Sequence, residues 1–79
     1  MGIFSRRNKD DDSDAWVNKG YSLAELKRHG EAIECCNVAI RLNPEDSDAW
    51  VNKGRSLKEL GRDDEAKECF AKAKELDES

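Results

Sequence analysis

The residues best suited to chemistry are three cysteines and a single histidine: Cys35, Cys36, Cys69 and His29. Thiolate and imidazole are ligands that zinc prefers, and a Cys-His pair can also form a nucleophilic site. Their spacing contains neither the paired C-x-x-C nor the H-x-x-H arrangement of zinc sites. A nucleophile would also need an orienting group and an oxyanion site, and the sequence has no such constellation. We therefore predict no catalytic residue, no metal and no cofactor, and interpret the cysteines as core filling with oxidation-prone thiols.

The composition limits the remaining function classes. The chain has 79 residues, 41% of them charged, with a net charge of -4, so we expect one small domain with solvated helical faces. The acidic balance would repel a phosphate backbone, and there is no basic stripe with interleaved aromatics, which disfavours nucleic acid. The odd cysteine number favours a reduced, cytoplasmic setting. No apolar run approaches the roughly 20 residues that cross a bilayer, so no membrane partner is predicted.

An internal repeat organises the chain. The segment from Ser13 to Gly20 returns unchanged from Ser47 to Gly54, an offset of 34 residues. Agreement at spaced positions continues as far as Leu42 and Leu76. Such identity is typical of recent duplication or of construction from one template. The predicted organisation is a disordered leader at 1–12 and one domain made of two units, 13–46 and 47–79.

Each unit has the pattern of two helices. Apolar residues recur at three- and four-residue steps, which predicts helices at about 14–28, 31–42, 48–60 and 64–77. Ser13 and Ser47 are the predicted N-caps. Gly61 is expected to end the third helix in a left-handed conformation, and Asn43-Pro44 is expected to end the second. The resulting fold class is all-α.

At these residues the chain resembles the tetratricopeptide repeat family, whose 34-residue unit carries a Trp, a Leu-Gly pair, a Tyr, an Ala, an aromatic residue and a closing Pro. The matching residues are Trp16, Gly20, Ala32, Pro44, Trp50, Gly54, Leu57, Ala66 and Phe70. The departures are Lys19 and Lys53 in place of Leu, and Cys36 in the aromatic position. The resemblance implies two helix-turn-helix hairpins stacked as a short right-handed solenoid, with each glycine allowing two helices to approach closely.

The same resemblance implies a function in binding a protein or peptide, without enzymatic activity. In this family the ligand is usually an extended peptide in a concave groove lined by the first helix of each hairpin. The corresponding residues here are Asn18, Tyr21, Glu25, Asn52, Arg55, Lys58 and Glu59. The two asparagines can bond a peptide backbone, and Tyr21 with Arg55 can hold a side chain or a carboxylate. A solvated helical face is the alternative interpretation.

Self-association is the second function considered. Ile33, Val38 and Ile40 become lysines at 67, 72 and 74, which favours the last unit as the soluble end of an array. Without a further helix after Ser79, we expect Phe70, Ala73 and Leu76 to remain partly exposed. A homodimer could cover this surface by end-to-end stacking or by exchange of a helical hairpin.

Overall fold

The computed structural model describes residues 9–78, which form four helices. They are α1 (Lys9–Glu25), α2 (His29–Leu42), α3 (Ser47–Glu59) and α4 (Asp63–Glu78). Helix α1 packs along α2, α3 packs along α4, and the second hairpin stacks on the first mainly through contacts between α2 and α3. Residues 9–78 contain no strand. The predicted all-α class with two stacked hairpins is confirmed.

The first helix differs most from its predicted bounds, since it begins at Lys9 and not at about residue 14. The sequence from Lys9 to Asp12 contains no glycine or proline, and its three aspartates suit the positive end of a helix dipole. These four residues of the predicted leader are therefore helical. Residues 1–8, which the same prediction covers, lie outside the described part of the chain.

Asp46, not Ser47, caps the third helix. Its Oδ1 accepts a hydrogen bond from the backbone N–H of Asp48 at 3.1 Å. Ser13, the other predicted cap, lies inside α1 and is fully buried. Its hydroxyl lies 2.5 Å from Oδ2 of Asp46 and 3.3 Å from the carbonyl oxygen of Ala39. Asp46 therefore caps α3 and joins it to the first hairpin.

Both hairpins turn through a residue in the left-handed region. Gly61 has φ +79°, as predicted, and its counterpart 34 residues earlier is Lys27, with φ +65°. In the first turn the N–H of Arg28 donates to the carbonyl of Leu23, and the N–H of Lys27 donates to that of Ala24, both at 2.9 Å. This pair of bonds is a Schellman motif, which ends α1 at Glu25 and not at about residue 28.

In the second hairpin, a glycine of α3 faces an aromatic ring of α4, and its lack of a side chain allows the two helices to approach closely. A Cβ atom on Gly54 would lie 2.7 Å from a ring carbon of Phe70. The first hairpin has the smaller Cys36 at that position, and its sulfur would lie 3.3 Å from a Cβ on Gly20. The close approach predicted at both glycines is confirmed, because any side chain there would displace the facing residue.

The lysines that depart from the family pattern lie over the tryptophans. Nζ of Lys19 is 5.2 Å from the centre of the Trp16 ring, and Nζ of Lys53 is 5.8 Å from that of Trp50. Lysine therefore covers the indole with its cation and its aliphatic stem where leucine would cover it by apolar contact alone. The Trp50 indole N–H also donates to the carbonyl of Pro44 at 3.0 Å. This contact fixes the turn between the repeats against α3.

Candidate peptide-binding groove

A pocket of about 230 Å³ lies between α1 and α3, the first helices of the two hairpins. Nine residues line it: Tyr21, Ala24, Glu25, Lys27, His29, Asn52, Arg55, Ser56 and Glu59. Five of the seven predicted groove residues are therefore neighbours in space: Tyr21, Glu25, Asn52, Arg55 and Glu59. Stacking produces this arrangement, because it places α3 beside α1 so that positions 34 apart in sequence face the same groove.

Tyr21 and Arg55 occupy equivalent places in the two repeats. The Tyr21 side chain is 47% exposed, so its ring and its hydroxyl are both available to a ligand. Arg55 is exposed, and among residues 12–78 its guanidinium has no hydrogen bond or ion pair. A planar guanidinium with all its donors available is suited to binding a carboxylate through two parallel hydrogen bonds.

The two asparagines differ in their surroundings. Asn52 is half-buried and lines the pocket, whereas Asn18 is exposed on α1 and lies outside it. Lys58 also lies outside the pocket and lines a separate depression with Phe70 on α4. Of the predicted groove residues, Asn18 and Lys58 are therefore the two that the structure does not bring to this pocket.

The pocket carries balanced charge. Arg55 and Lys27 supply two cations, and Glu25 and Glu59 supply two anions. None of the described salt bridges pairs these four groups with one another. A groove of this kind favours a ligand with a localised charge over a polyanion, because the glutamates would repel a continuous run of negative groups.

Four of the nine lining residues are not among the seven predicted ones: Ala24 and Ser56 on the first helices, Lys27 in the first turn and His29 at the start of α2. Lys27 and His29 were missed because the prediction placed groove residues on the first helices only. The Nδ1 atom of His29 is buried and has no hydrogen-bond partner among the described residues. The alignment of the two repeats could have predicted the left-handed turn at Lys27, because its counterpart Gly61 was expected to end a helix in that conformation.

The three residues predicted for self-association differ in exposure. Ala73 is buried within the chain, at 3% exposure, whereas Phe70 and Leu76 are half-buried. Phe70 packs against the cluster of Leu57, Ala66 and Cys69. Little of this surface is therefore left for a partner.

The cysteines are all free and buried. Burial raises the pKa of each thiol, and for Cys36 it raises the pKa to about 11. A thiol with such a pKa is protonated at neutral pH and a poor nucleophile. Among the residues that the structure describes, no group of three or more histidine, cysteine, aspartate or glutamate side chains could hold a metal ion. Within the same residues no helix is long and apolar enough to cross a membrane.

Two stacked helical hairpins with a polar groove between their first helices define a helical repeat protein. Comparison with protein families identifies the repeat: residues 13–46 match one model described as tetratricopeptide repeat, and residues 47–79 match another. The chain therefore belongs to the tetratricopeptide repeat family, as the resemblance implied. Such repeats are generally modules of protein–protein interaction in non-catalytic scaffolds. A comparison with curated proteins found no match to this chain.

Proposed function

We propose that this chain binds an extended peptide or protein segment in the groove between α1 and α3, without chemical conversion of the ligand. The proposal rests on one observation. Tyr21, Asn52 and Arg55 line the same pocket, and the guanidinium of Arg55 has no hydrogen-bond or ion-pair partner among the described residues. An exposed guanidinium whose donors have no partner among the described residues can bind a ligand that supplies acceptors. The family's general role in protein–protein interaction supports the same conclusion.

Arg55 anchors a carboxylate of the ligand in this proposal. The carboxylate is either an acidic side chain or the C-terminus of a peptide. Tyr21 packs against the neighbouring ligand residue and offers its hydroxyl, and Asn52 bonds the ligand backbone with its amide. Glu25 and Glu59 select against ligands with several adjacent negative charges, since they repel any carboxylate placed away from Arg55.

A titration with labelled peptides tests this function. The probes are short fluorescein-labelled peptides in matched pairs, one with a free C-terminal carboxylate and one amidated, with and without a single internal aspartate. We expect saturable binding by fluorescence anisotropy for peptides that carry one carboxylate. Arg55→Ala should weaken it about tenfold or more, because a hydrogen bond to a charged group contributes about 1.5–3 kcal/mol.

Arg41→Ala is the matched control, because Arg41 is an exposed cation on α2, outside the pocket. It should leave the affinity unchanged. The proposal fails if no carboxylate peptide binds the unmodified chain, or if Arg41→Ala weakens binding as much as Arg55→Ala does.

Self-association finds less support among the described residues, since Ala73 is buried and only parts of Phe70 and Leu76 remain exposed. Homodimerisation, whether by end-to-end stacking or by hairpin exchange, stays a prediction. Light scattering tests it, because a mass of 8.9 kDa that does not change with concentration would exclude it.

A further inference from the structure

A second groove lies between α1 and α2, at the end of the molecule where the first repeat begins. We name it the N-terminal groove. Its apolar lining comes from Trp16, Leu23, Cys35 and Val38, and charged side chains of both signs surround these four. Its volume is about 530 Å³. It is separate from the peptide pocket and shares no lining residue with it.

The second repeat shows what fits such a groove. The counterparts of Trp16, Leu23 and Cys35 are Trp50, Leu57 and Cys69. Ile33 of α2 packs against the cluster that contains Leu57 and Cys69, and Trp50 packs against the same cluster. Leu57 is 2% exposed, whereas Leu23 in the N-terminal groove is only half-buried. Of the three pairs, only the leucines differ in this way, since both cysteines are buried and both tryptophans are half-buried. Leu23 is thus the residue of the N-terminal groove that lacks the cover which Ile33 gives to Leu57.

The adjoining face of α1 is uncovered in the same way. Ala15 and Ser22 are exposed, whereas their counterparts Ala49 and Ser56 are 0% and 2% exposed. In α3 these small residues let the first hairpin approach closely, and Ala49 packs against Val17 and Ala39. The face of α3 that contacts the first hairpin therefore has an equivalent face on α1. No described residue covers this face of α1.

The internal interface also defines the chemistry of the neighbour. Two isoleucines of α2 lie at this interface. Ile33 packs against the Leu57 cluster of the second hairpin, and Ile40 packs against the cluster in which Ala49 of α3 meets Val17 and Ala39 of the first hairpin. The two isoleucines are seven residues apart, which places them on one face of the helix, two turns apart. A helix that docks in the N-terminal groove in the same way needs branched aliphatic side chains at this spacing.

Another copy of this chain lacks that pattern on the helix it would present. The counterparts of Ile33 and Ile40 on α4 are Lys67 and Lys74, both exposed. Docking α4 would add two ammonium groups to a groove lining in which two cations already balance two anions, so the ammonium groups would lose hydration without an additional anion to compensate them. These lysines therefore oppose head-to-tail stacking of identical chains.

We propose that the N-terminal groove docks the second helix of a helical hairpin in another protein, one with branched aliphatic residues seven positions apart, and that Lys67 and Lys74 prevent copies of this chain from occupying it. The partner is thus a repeat protein whose last helix resembles α2. This inference does not depend on the peptide-binding function proposed above.

A designed probe tests the groove of the unmodified chain. The probe is the same chain with Lys67→Ile and Lys74→Ile, which give α4 the two isoleucines of α2. It also carries Ser22→Arg, which blocks the exposed face of its own α1 beside the N-terminal groove. We expect the probe and the unmodified chain to form a 1:1 complex by light scattering and sedimentation, while each alone remains monomeric. The expected Kd lies in the micromolar range, typical of a small transient interface.

The matched control carries Lys72→Ile with Ser22→Arg. It adds an isoleucine to the same helix, but Val38, the counterpart of Lys72, lines the N-terminal groove and is not among the residues packed against the Leu57 or Ala49 clusters. It should form no complex. The proposal is overturned if the probe does not bind, if the control binds equally well, or if Ser22→Arg in the unmodified chain leaves binding of the probe intact. It is also overturned if the unmodified chain forms head-to-tail oligomers by itself.

Discussion

Ala15 and Ala49 lie at the same place in two identical eight-residue segments, yet the first is exposed and the second is completely buried. Ser22 and Ser56 differ in the same way. In each pair the local sequence and helical conformation agree, and the difference comes from the neighbour, since the first hairpin covers α3 and no described residue covers the same face of α1. The two repeats show that helix formation is local, whereas burial depends on stacking.

The largest expected difference in stability is between two single substitutions that place a carboxylate at one alanine or at the other. Ala49→Glu should lower the free energy of unfolding by more than about 3 kcal/mol, because it buries an unpaired carboxylate against Val17 and Ala39. Ala15→Glu should change it by less than about 0.5 kcal/mol at its exposed position. Urea unfolding followed by circular dichroism measures both. Equal losses at the two sites would mean that the face of α1 is also covered.

The residue that faces the glycine of the helix contact is ionisable in the first hairpin and not in the second, and this difference gives the next effect. Cys36 faces Gly20 where Phe70 faces Gly54, and burial raises its pKa from the ordinary 9.0 to about 11. Above pH 9 the unfolded thiol ionises while the folded thiol stays protonated. The contribution of this thiol to the free energy of unfolding should therefore be fully present below pH 9. It should be lost between pH 9 and 11, by up to about 1.4 kcal/mol per pH unit.

Cys36→Val removes this ionisation, so its stability should decline less steeply over the same pH window. Urea unfolding at intervals from pH 8 to 11 gives the slope of the free energy of unfolding against pH for the unmodified chain and for Cys36→Val. The other titratable groups are common to both chains and cancel in the difference. Parallel slopes for the two chains would contradict the assignment to Cys36.

A smaller difference is expected between Ser13 and Ser47, the two predicted caps. Ser13→Ala should destabilise the chain by about 1–2 kcal/mol, because it removes the hydroxyl that bonds Asp46 across the repeats. Ser47→Ala should cost less than about 0.5 kcal/mol, since Asp46 is the cap of α3. The midpoint of urea unfolding distinguishes them. A larger loss at Ser47 would restore the original cap prediction.

The smallest effect concerns the two left-handed turn residues. Lys27→Gly should stabilise the chain by about 0.5–1 kcal/mol, because glycine adopts φ +65° without strain. Gly61→Lys should destabilise it by a similar amount. Thermal unfolding followed at 222 nm would detect both as shifts of opposite sign in Tm. Shifts of the same sign would show that the turns are not equivalent.

Much of the fold could be predicted, because the signals for it are short in range. The stop at Asn43-Pro44 is confirmed, as α2 ends at Leu42, and so is the left-handed Gly61. The errors arose where a distant residue competes with a local rule. Ser13 has the sequence of a cap, but stacking brings Asp46 to its hydroxyl, and the absence of a helix breaker lets α1 extend past it.

The candidate site was predictable to the extent that it follows from the repeat. The offset of 34 residues identifies which positions share a face, and five of the seven predicted groove residues line one pocket. Lys27 reaches that pocket from the turn and His29 from the start of α2, and the position of both depends on φ at Lys27. The spacing of residues along the helices, from which the groove was predicted, does not determine the conformation of this turn.

The sequence by itself determined the four helices, their pairing into two hairpins and the family, since each depends on residues within one repeat. Only the tertiary structure decided which of two identical faces is buried, which aspartate joins the repeats, and which groove stays open. The physical reason is that stacking energy comes from apolar contacts between residues far apart in the chain. The same eight residues can therefore form a buried interface in one repeat and an accessible surface in the other.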